Sequence, residues 1–380
     1  MAIAAAGTGG HIYPGLAVAA ELRSMRPQVE VVFLTTRRGL GPELLSRAGE
    51  RVWAIDGQPA PFGISWRAVA SGWAAMRGAV QARRRLREAG ARVLLATGGY
   101  GSVPAVLASR SLGLPVVWHE QNVLPGRATR TVGRLAQVVA VGFPEASRRM
   151  PQRMLGRVRV TGNPVRREVL LTPRSEGARR LGLDAGKLTV LVVGASQGAR
   201  RLNEAVVEAA PELAGLEGVQ TLVSTGAAHF EAVTAALARC CPLGRKEGDR
   251  WTWRSLTVVA YLADMPAALA ACDLAVSRAG AISLAEFTAR GIPMVLVPYP
   301  FAAEGHQQLN ARVVQEAGAA VVVPDSRLTA GTLLEVLRSL AGDRERLRAM
   351  AQASRRLGRP DAARQVAQVV LEVAEGAHRG

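Results

Sequence analysis

Short apolar runs, each followed by a longer stretch with helical periodicity, recur along almost the whole chain, and few architectures accept that pattern. A strand buried on both faces reads as an unbroken apolar run, and parallel strands need a crossover between them that is usually a helix. The alternation therefore predicts βαβ units around parallel sheets covered on both sides, an α/β class. Strands are expected near 2–6, 29–34, 52–55, 93–96, 115–119 and 138–141, and again near 188–193, 219–224, 256–261, 274–277, 294–297 and 320–323. Two doubly wound halves follow, in a chain of 380 residues that has room for them. Gly162, Pro164 and Pro173 punctuate a charged, weakly periodic stretch over 161–175 and set the join there. The expected domains are 1–163 and 164–345, with polar C-terminal helices over 346–380 packing back toward the first. The stretch 241–254, with Trp251 and Trp253, reads as a charged loop before a strand.

Charge narrows the partners. Lys and Arg number 48 against 30 Asp and Glu, a net +18, and all the cations but Lys187 and Lys246 are arginines. Such a field favours anionic partners. A non-catalytic nucleic-acid binder fits poorly, because aromatics make up 4% of the chain and no stacking platform or groove-reading motif is present. Cys240, Cys241 and Cys272 have neither zinc-ligand spacing nor the pattern of a disulfide framework, which predicts reduced thiols in the cytoplasm. The first residues lack a basic region and run straight into Gly7, so they read as a strand instead of a signal peptide. No stretch supplies the ~18 consecutive apolar residues of a membrane span, and membrane contact is expected to be peripheral.

Three turns share one construction. Gly7-Thr8-Gly9-Gly10-His11 follows the first strand, with Pro14 opening a helix over 15–25. Thr97-Gly98-Gly99-Tyr100-Gly101-Ser102 follows 93–96, and Gly194-Ala195-Ser196-Gln197-Gly198-Ala199-Arg200 follows 188–193. Glycines let a backbone approach a ligand, and a helix N-terminus offers N–H groups to an anion. None of the three is a G-x-G-x-x-G fingerprint or a P-loop, and tight packing would explain any one alone. Together they point to a bipartite substrate in a cleft faced by both halves, with phosphate on the second-domain turn. Polar runs also stand beside turns at His119-Glu120-Gln121-Asn122, Gly162-Asn163-Pro164-Val165-Arg166, Arg278 to Glu286, and His306 to Asn310. Glu286 suits a ribose diol or, equally, a first-turn carboxylate stabilised by the helix dipole. Gln307, Gln308 and Asn310 suit sugar hydroxyls or a helix cap. Trp66, Val69, Trp73, Met76 and Val80 follow steps of three and four, with Arg67, Arg77, Arg83, Arg84, Arg85 and Arg87 around them. That stripe is either an interfacial helix on anionic lipid or a core face.

In order, Gly7 to His11, Thr97 to Tyr100, His119 to Asn122, Gly162 to Arg166, Ser196 to Ala199 and Ser283 to Glu286 resemble the motifs of the MurG family, within glycosyltransferase family 28. The resemblance spans roughly 2–340. It implies a GT-B fold, two Rossmann-like domains facing a central cleft. It also implies inverting transfer of N-acetylglucosamine from UDP-N-acetylglucosamine (UDP-GlcNAc) to the muramyl C4 hydroxyl of lipid I, undecaprenyl-pyrophosphoryl-MurNAc-pentapeptide. The product would be lipid II for peptidoglycan synthesis, made peripherally at the cytoplasmic face of the cell membrane.

By that resemblance, donor contacts fall on Thr8, Gly9, Gly10, Asn122, Arg166, Ser196, Leu262, Ala281, Ile282, Ser283, Leu284, Ala285, Glu286 and Gln308. Leu262 would meet uracil through its backbone and Glu286 the ribose. The leaving diphosphate would lie on the N–H groups around 196–199, helped by Arg166. His11 is the candidate base, since imidazole titrates nearest neutral pH; a structural role locking its turn stays open beside it. Tyr100, Trp66, Trp73, Met76, Arg77 and Arg84 fall on the acceptor and membrane side. No cofactor and no metal are expected for the chemical step, because His11, His119, His229, His306 and His378 have no ligand spacing and no Asp-x-Asp motif occurs. The implied partners are UDP-GlcNAc, lipid I, an anionic membrane surface and other cell-wall synthesis proteins, not nucleic acid. Alternatives on the same donor half are a UDP-sugar-dependent diacylglycerol glycosyltransferase and, further off, a UDP-GlcNAc 2-epimerase. Ala5 and Ala6 stand where the family often has glycines, and variable spacing around 302–306 leaves the choice between Gln307 and Gln308 open.

Overall fold

Each of those apolar runs forms a strand in the computed structural model, which describes residues 1–37, 39–58, 66–194 and 199–376, with the side chains of 66–69 and 303 left aside. The chain divides into two units, Met1–Arg166 with Arg359–Gly380, and Arg167–Gly358. The first unit holds β1 (Ala2–Ala4), β2 (Val32–Thr36), β3 (Arg51–Ile55), β4 (Leu94–Ala96), β5 (Val116–Glu120), β6 (Val138–Val141) and β7 (Val158–Val160). They make one parallel sheet in the order β3-β2-β1-β4-β5-β6-β7, with Ala2 beside both Val32 and Leu94. Alternate residues enter opposite cores: Ala4, Leu34 and Trp118 on one face, Ile3, Phe33 and Val117 on the other. Burial on both faces is why these strands read as unbroken apolar runs. β7 escapes that reading because Arg159 stands at its centre and it is only partly buried.

The second unit holds β8 (Leu188–Val193), β9 (Val219–Ser224), β10 (Arg245–Glu247), β11 (Arg250–Trp253), β12 (Leu256–Val259), β13 (Leu274–Ser277), β14 (Met294–Leu296) and β15 (Ala320–Val322). Their order is β10-β11-β12-β9-β8-β13-β14-β15, parallel except that β11 runs antiparallel to its neighbours β10 and β12. The charged loop expected over 241–254 is thus a hairpin. Its polar edge strand β10 is exposed, as unpaired edges usually are, while Trp251 of β11 is buried in the unit's core.

Two boundaries differ from the sequence reading. The first helix runs Gly9–Met25 with Pro14 inside it, not from 15, so Gly9, Gly10 and His11 form its opening turn. Pro14 forfeits one helix hydrogen bond, which burial of Ile12 and Pro14 against the sheet offsets. Gly15 permits that approach, since a Cβ there would lie 3.2 Å from both Ile3 and Phe33 side chains. The tail also divides later than 345. The helix Arg344–Leu357 belongs to the second unit, where the Ser354 hydroxyl donates to the Ile292 carbonyl at 2.9 Å. Only the helix Ala362–Gly376 joins the first unit, adding Val366, Ala367 and Val370 to one core face.

Candidate active site

In the first sheet β2 and β4 flank β1, and the chain winds outward from there in both directions. Doubly wound sheets bind ligands in the crevice beyond the carboxyl ends of such a strand pair. His11 enters from the helix after β1, and the turn Thr97–Gly99 follows β4. His11 Nδ1 lies 2.9 Å from the Thr97 carbonyl. A carbonyl only accepts, so Nδ1 carries the proton and Nε2 the lone pair. Gly98 and Gly99 wrap the ring with φ of +89° and +75°, and a Cβ on Gly99 would stand 3.0 Å from Nε2. Burial pushes the imidazole below its ordinary pKa, against the opposing pull of the Thr97 hydrogen bond, Glu120 and Gln121. At neutral pH it is an uncharged ring with a basic Nε2.

The His-Glu-Gln-Asn run surrounds this ring without repeating its chemistry. His119 is fully buried, donates Nε2–H to the Gly162 carbonyl at 3.2 Å, and is pushed down to about 4 by desolvation. Glu120 is saturated: it accepts from the Asn122 backbone N–H at 2.9 Å, the Gly126 N–H at 3.0 Å and the Thr129 hydroxyl. It therefore ties the loop after β5 to itself. Gln121 donates to the Thr97 carbonyl, and Asn163 donates to the Gln121 carbonyl at 3.0 Å. Arg166 stacks its guanidinium 4.2 Å from the Tyr13 ring centroid. Thr8 is exposed, and Gly10, Tyr100 and Asn122 are half-buried around the same strand ends. Structure thus gathers Thr8, Gly9, Gly10, His11, Tyr100 and Asn122 at the carboxyl edge of β1, β4 and β5, with Arg166 on Tyr13 of the first helix.

In the second unit the equivalent switch lies between β8 and β13. The helices Arg200–Leu213 and Ala281–Arg290 begin after these strands and direct their N-terminal ends to the same edge. Ser196 lies outside the described residues. Ala281 to Glu286 make the first turn and a half of the second helix, and Glu286, 8% exposed, sits beyond its first turn. It is therefore not a first-turn carboxylate. Leu262 is buried just past β12, before Asp264 caps the next helix by accepting from the Ala267 N–H at 3.1 Å.

The two glutamines separate cleanly. Gln307 accepts from the backbone N–H groups of Ala279 at 3.2 Å and Tyr299 at 2.9 Å, and Asn310 donates to the Ala279 carbonyl at 3.2 Å. Gln308 is exposed and lines a cavity of about 570 Å³ with Arg201, Phe301, Arg312 and Asp325. The sequence reading missed the buried pair of Arg278 and Asp325, 2.5 Å apart, which also ties Arg278 to the Val297 carbonyl at 3.1 Å. Arg278 opens a quoted motif, but nothing local marks Asp325 as its partner.

The arginine-flanked stripe lies elsewhere, on the helix Trp66–Glu88 between β3 and β4. Trp73, Met76 and Val80 are 68%, 61% and 65% exposed, whereas Ala74, Ala82 and Leu86 face inward. From Trp73 to Val80 the stripe is therefore not a core face. Arg77 and Arg84 are exposed beside it, ion-paired with Asp56 at 3.8 Å and Glu88 at 2.7 Å. The side chains of Trp66 and Val69 are outside the description. Among the described residues no helix is long and apolar enough to cross a membrane, and no cluster of three His, Cys, Asp or Glu is placed to hold a metal.

Two doubly wound, Rossmann-like units are the architecture of GT-B glycosyltransferases. The profile of the glycosyltransferase family 28 N-terminal domain matches residues 1–141, and that of the C-terminal domain matches 189–366. The chain belongs to glycosyltransferase family 28. It is 41% identical over 374 residues, 98% of each chain, to the UDP-N-acetylglucosamine–N-acetylmuramyl-(pentapeptide) pyrophosphoryl-undecaprenol N-acetylglucosamine transferase of Moorella thermoacetica. The same enzyme of Desulfitobacterium hafniense strain Y51 is 38% identical over 97% of each chain. Among solved structures, Acinetobacter baumannii MurG superposes with a TM-score of 0.71 at 28% identity over 98% of this chain and 99% of that one. A UDP-GlcNAc 2-epimerase from Neisseria meningitidis gives 0.68 at 14% identity, over 98% of this chain and 99% of that one, and shares the fold alone.

Proposed function

We propose that this chain transfers N-acetylglucosamine from UDP-GlcNAc to the C4 hydroxyl of MurNAc in undecaprenyl-pyrophosphoryl-MurNAc-pentapeptide, inverting the anomeric centre and giving lipid II. The observation that carries the reading is the full-length likeness to the curated transferases. The site agrees with it: a neutral imidazole with a fixed tautomer in one unit, and helix starts with a buried carboxylate in the other. His11 Nε2 takes the proton of the attacking hydroxyl while the leaving UDP gathers charge. Glu286 binds the ribose, Leu262 the base and Gln308 the sugar. Thr8, Gly9, Gly10, Asn122 and Arg166 complete the donor contacts, and Tyr100 faces the acceptor. The chemical step uses hydrogen-bond donors rather than a metal or cofactor to stabilise the diphosphate.

The enzyme reaches its lipid acceptor peripherally, on the cytoplasmic face. Trp73, Met76 and Val80 insert at the interface, and Arg77 and Arg84 meet anionic headgroups. The exposure of that stripe supports the reading. Replacing Trp73 and Met76 by serine is expected to abolish binding to anionic vesicles in flotation assays while leaving UDP binding unchanged. Vesicle binding that persists removes the helix from the interface.

Radiolabel transfer from UDP-GlcNAc to a short-chain lipid I analogue, in EDTA and with diacylglycerol as a control acceptor, tests the activity itself. Label in the lipid I analogue alone is the expected outcome. Label in diacylglycerol instead overturns the acceptor, and dependence on added Mg²⁺ overturns metal-free chemistry.

A further inference from the structure

The Thr97 carbonyl accepts the His11 Nδ1–H and so fixes the tautomer, and it has two lone pairs. One takes His11 Nδ1–H, and the other takes the side-chain N–H of Gln121. Gln121 is 4% exposed just past the end of β5, and its carbonyl oxygen faces Gly98, where an added Cβ would come within 3.2 Å. The Thr97 hydroxyl meanwhile donates to the His11 and Ala4 carbonyls at 2.8 and 3.1 Å. The turn that holds the imidazole is thus braced from the β5 side by one glutamine.

We infer that Gln121 is a positioning residue for the base: its amide holds the Thr97 carbonyl in line with Nδ1–H and so aims the Nε2 lone pair. The inference rests on His11 being the base proposed above. Without the amide, the carbonyl keeps a buried, unfilled lone pair and is free to turn toward another donor. The ring then loses its bearing, although no group that touches substrate has been removed. Gln121 also favours the protonated ring, as does Glu120, and His11 in turn disfavours charge on the buried His119. Glu120 is saturated by the loop it ties and the His119 Nε2 is turned to Gly162, so among these neighbours the glutamine is the one that bears on the acceptor itself.

Turnover of Gln121→Met and Gln121→Glu is to be measured from pH 5 to 8 with UDP-GlcNAc and a lipid I analogue, alongside KM for the donor and a thermal melt. Methionine is expected to lower kcat about 10- to 100-fold, the scale of a small misplacement of a catalytic group, with donor KM unchanged. Its acid limb, where activity falls as His11 protonates, should move to lower pH. Glutamate cannot donate to the carbonyl but places a negative charge beside the ring, so kcat falls and the acid limb moves to higher pH. Limbs that stay in place in both variants, or a kcat within twofold of the parent in both, overturn the inference. If methionine does not fold, the direction of the glutamate shift decides alone. His11→Ala separates the two levels: full turnover there overturns the base itself, whereas its loss beside silent Gln121 variants overturns only the positioning role.

Discussion

At the switch point of the first sheet, several side chains converge on the backbone carbonyls of neighbouring turns. His11, Thr97, Gln121, His119 and Asn163 join the ends of β4 and β5 to the segment at 162–163. At the switch point of the second sheet, helix starts face the strand ends, Gln307 and Asn310 bond the backbone at Ala279, and Gln307 also takes the Tyr299 N–H. Both sheets are wound alike, so topology does not make the difference. A proton acceptor must have one tautomer and a tuned basicity, which takes a network of partners. Binding a diphosphate or a ribose takes N–H groups and a carboxylate already in place, which a helix N-terminus supplies with little help. If this contrast holds, damage in the first unit strikes turnover and damage in the second strikes affinity.

The largest effect is expected from His11→Ala. Loss of a general base costs about 10²- to 10⁴-fold in kcat, and the UDP-GlcNAc dissociation constant should stay near that of the parent. Steady-state kinetics with calorimetric donor titration measures both. A variant with parental turnover would leave His11 as a lock on its turn and dissolve the contrast.

Acid stability comes next, and it belongs to the first unit. His119 titrates near 6.5 when exposed and at about 4 when buried here. Between those values the unfolded chain binds the extra proton, so stability falls as pH drops from 6.5 toward 4. The lowering is worth about 3 kcal/mol in all. His119→Gln keeps an N–H donor for the Gly162 carbonyl and does not titrate, so its urea midpoint should be flatter across that range. An unchanged slope would show that another group carries the acid sensitivity.

These cases show where a sequence can be read and where it stops. The strands were legible because sheets buried on both faces demand unbroken apolar runs. β7 and the β10–β11 hairpin were not, because Arg159, Arg245 and Lys246 sit on exposed edge strands where that demand lapses. The glycine turns advertised a site through composition alone. That one carbonyl serves both His11 and Gln121, or that Asp325 pairs with Arg278, depends on side-chain directions set by tertiary packing. The stripe from Trp73 to Val80 carried the periodicity of a buried face, and only its neighbours Ala74, Ala82 and Leu86 settle which way the helix turns.

In the second unit, Glu286→Gln keeps the shape of a nearly buried side chain but removes its charge. A hydrogen bond to a charged group is worth about 1.5–3 kcal/mol, so UDP should bind on the order of 10- to 100-fold more weakly, with kcat at saturating donor much less affected. Calorimetry on UDP and UDP-GlcNAc measures it. Equal binding by parent and variant would remove the ribose contact, and a fall in kcat without one in affinity would place catalytic work where the contrast allows none.

The smallest effect separates neighbours. Gln308 is exposed at the rim of its cavity, so Gln308→Ala should give up a single neutral hydrogen bond, about 0.5–1.5 kcal/mol, seen as a rise in donor KM of up to roughly tenfold with no change in melting temperature. Gln307→Ala acts differently, because it strips the backbone N–H groups of Ala279 and Tyr299 of their acceptor. Leaving the buried Ala279 donor unsatisfied costs about 1–3 kcal/mol, and that loss appears as a lower melting temperature before any change in kinetics. The reverse assignment, with Gln307→Ala silent in stability and Gln308→Ala destabilising, would mean that these two side chains exchange places when the sugar is bound. The pinning of the Ala279 turn would then be a property of the empty site alone.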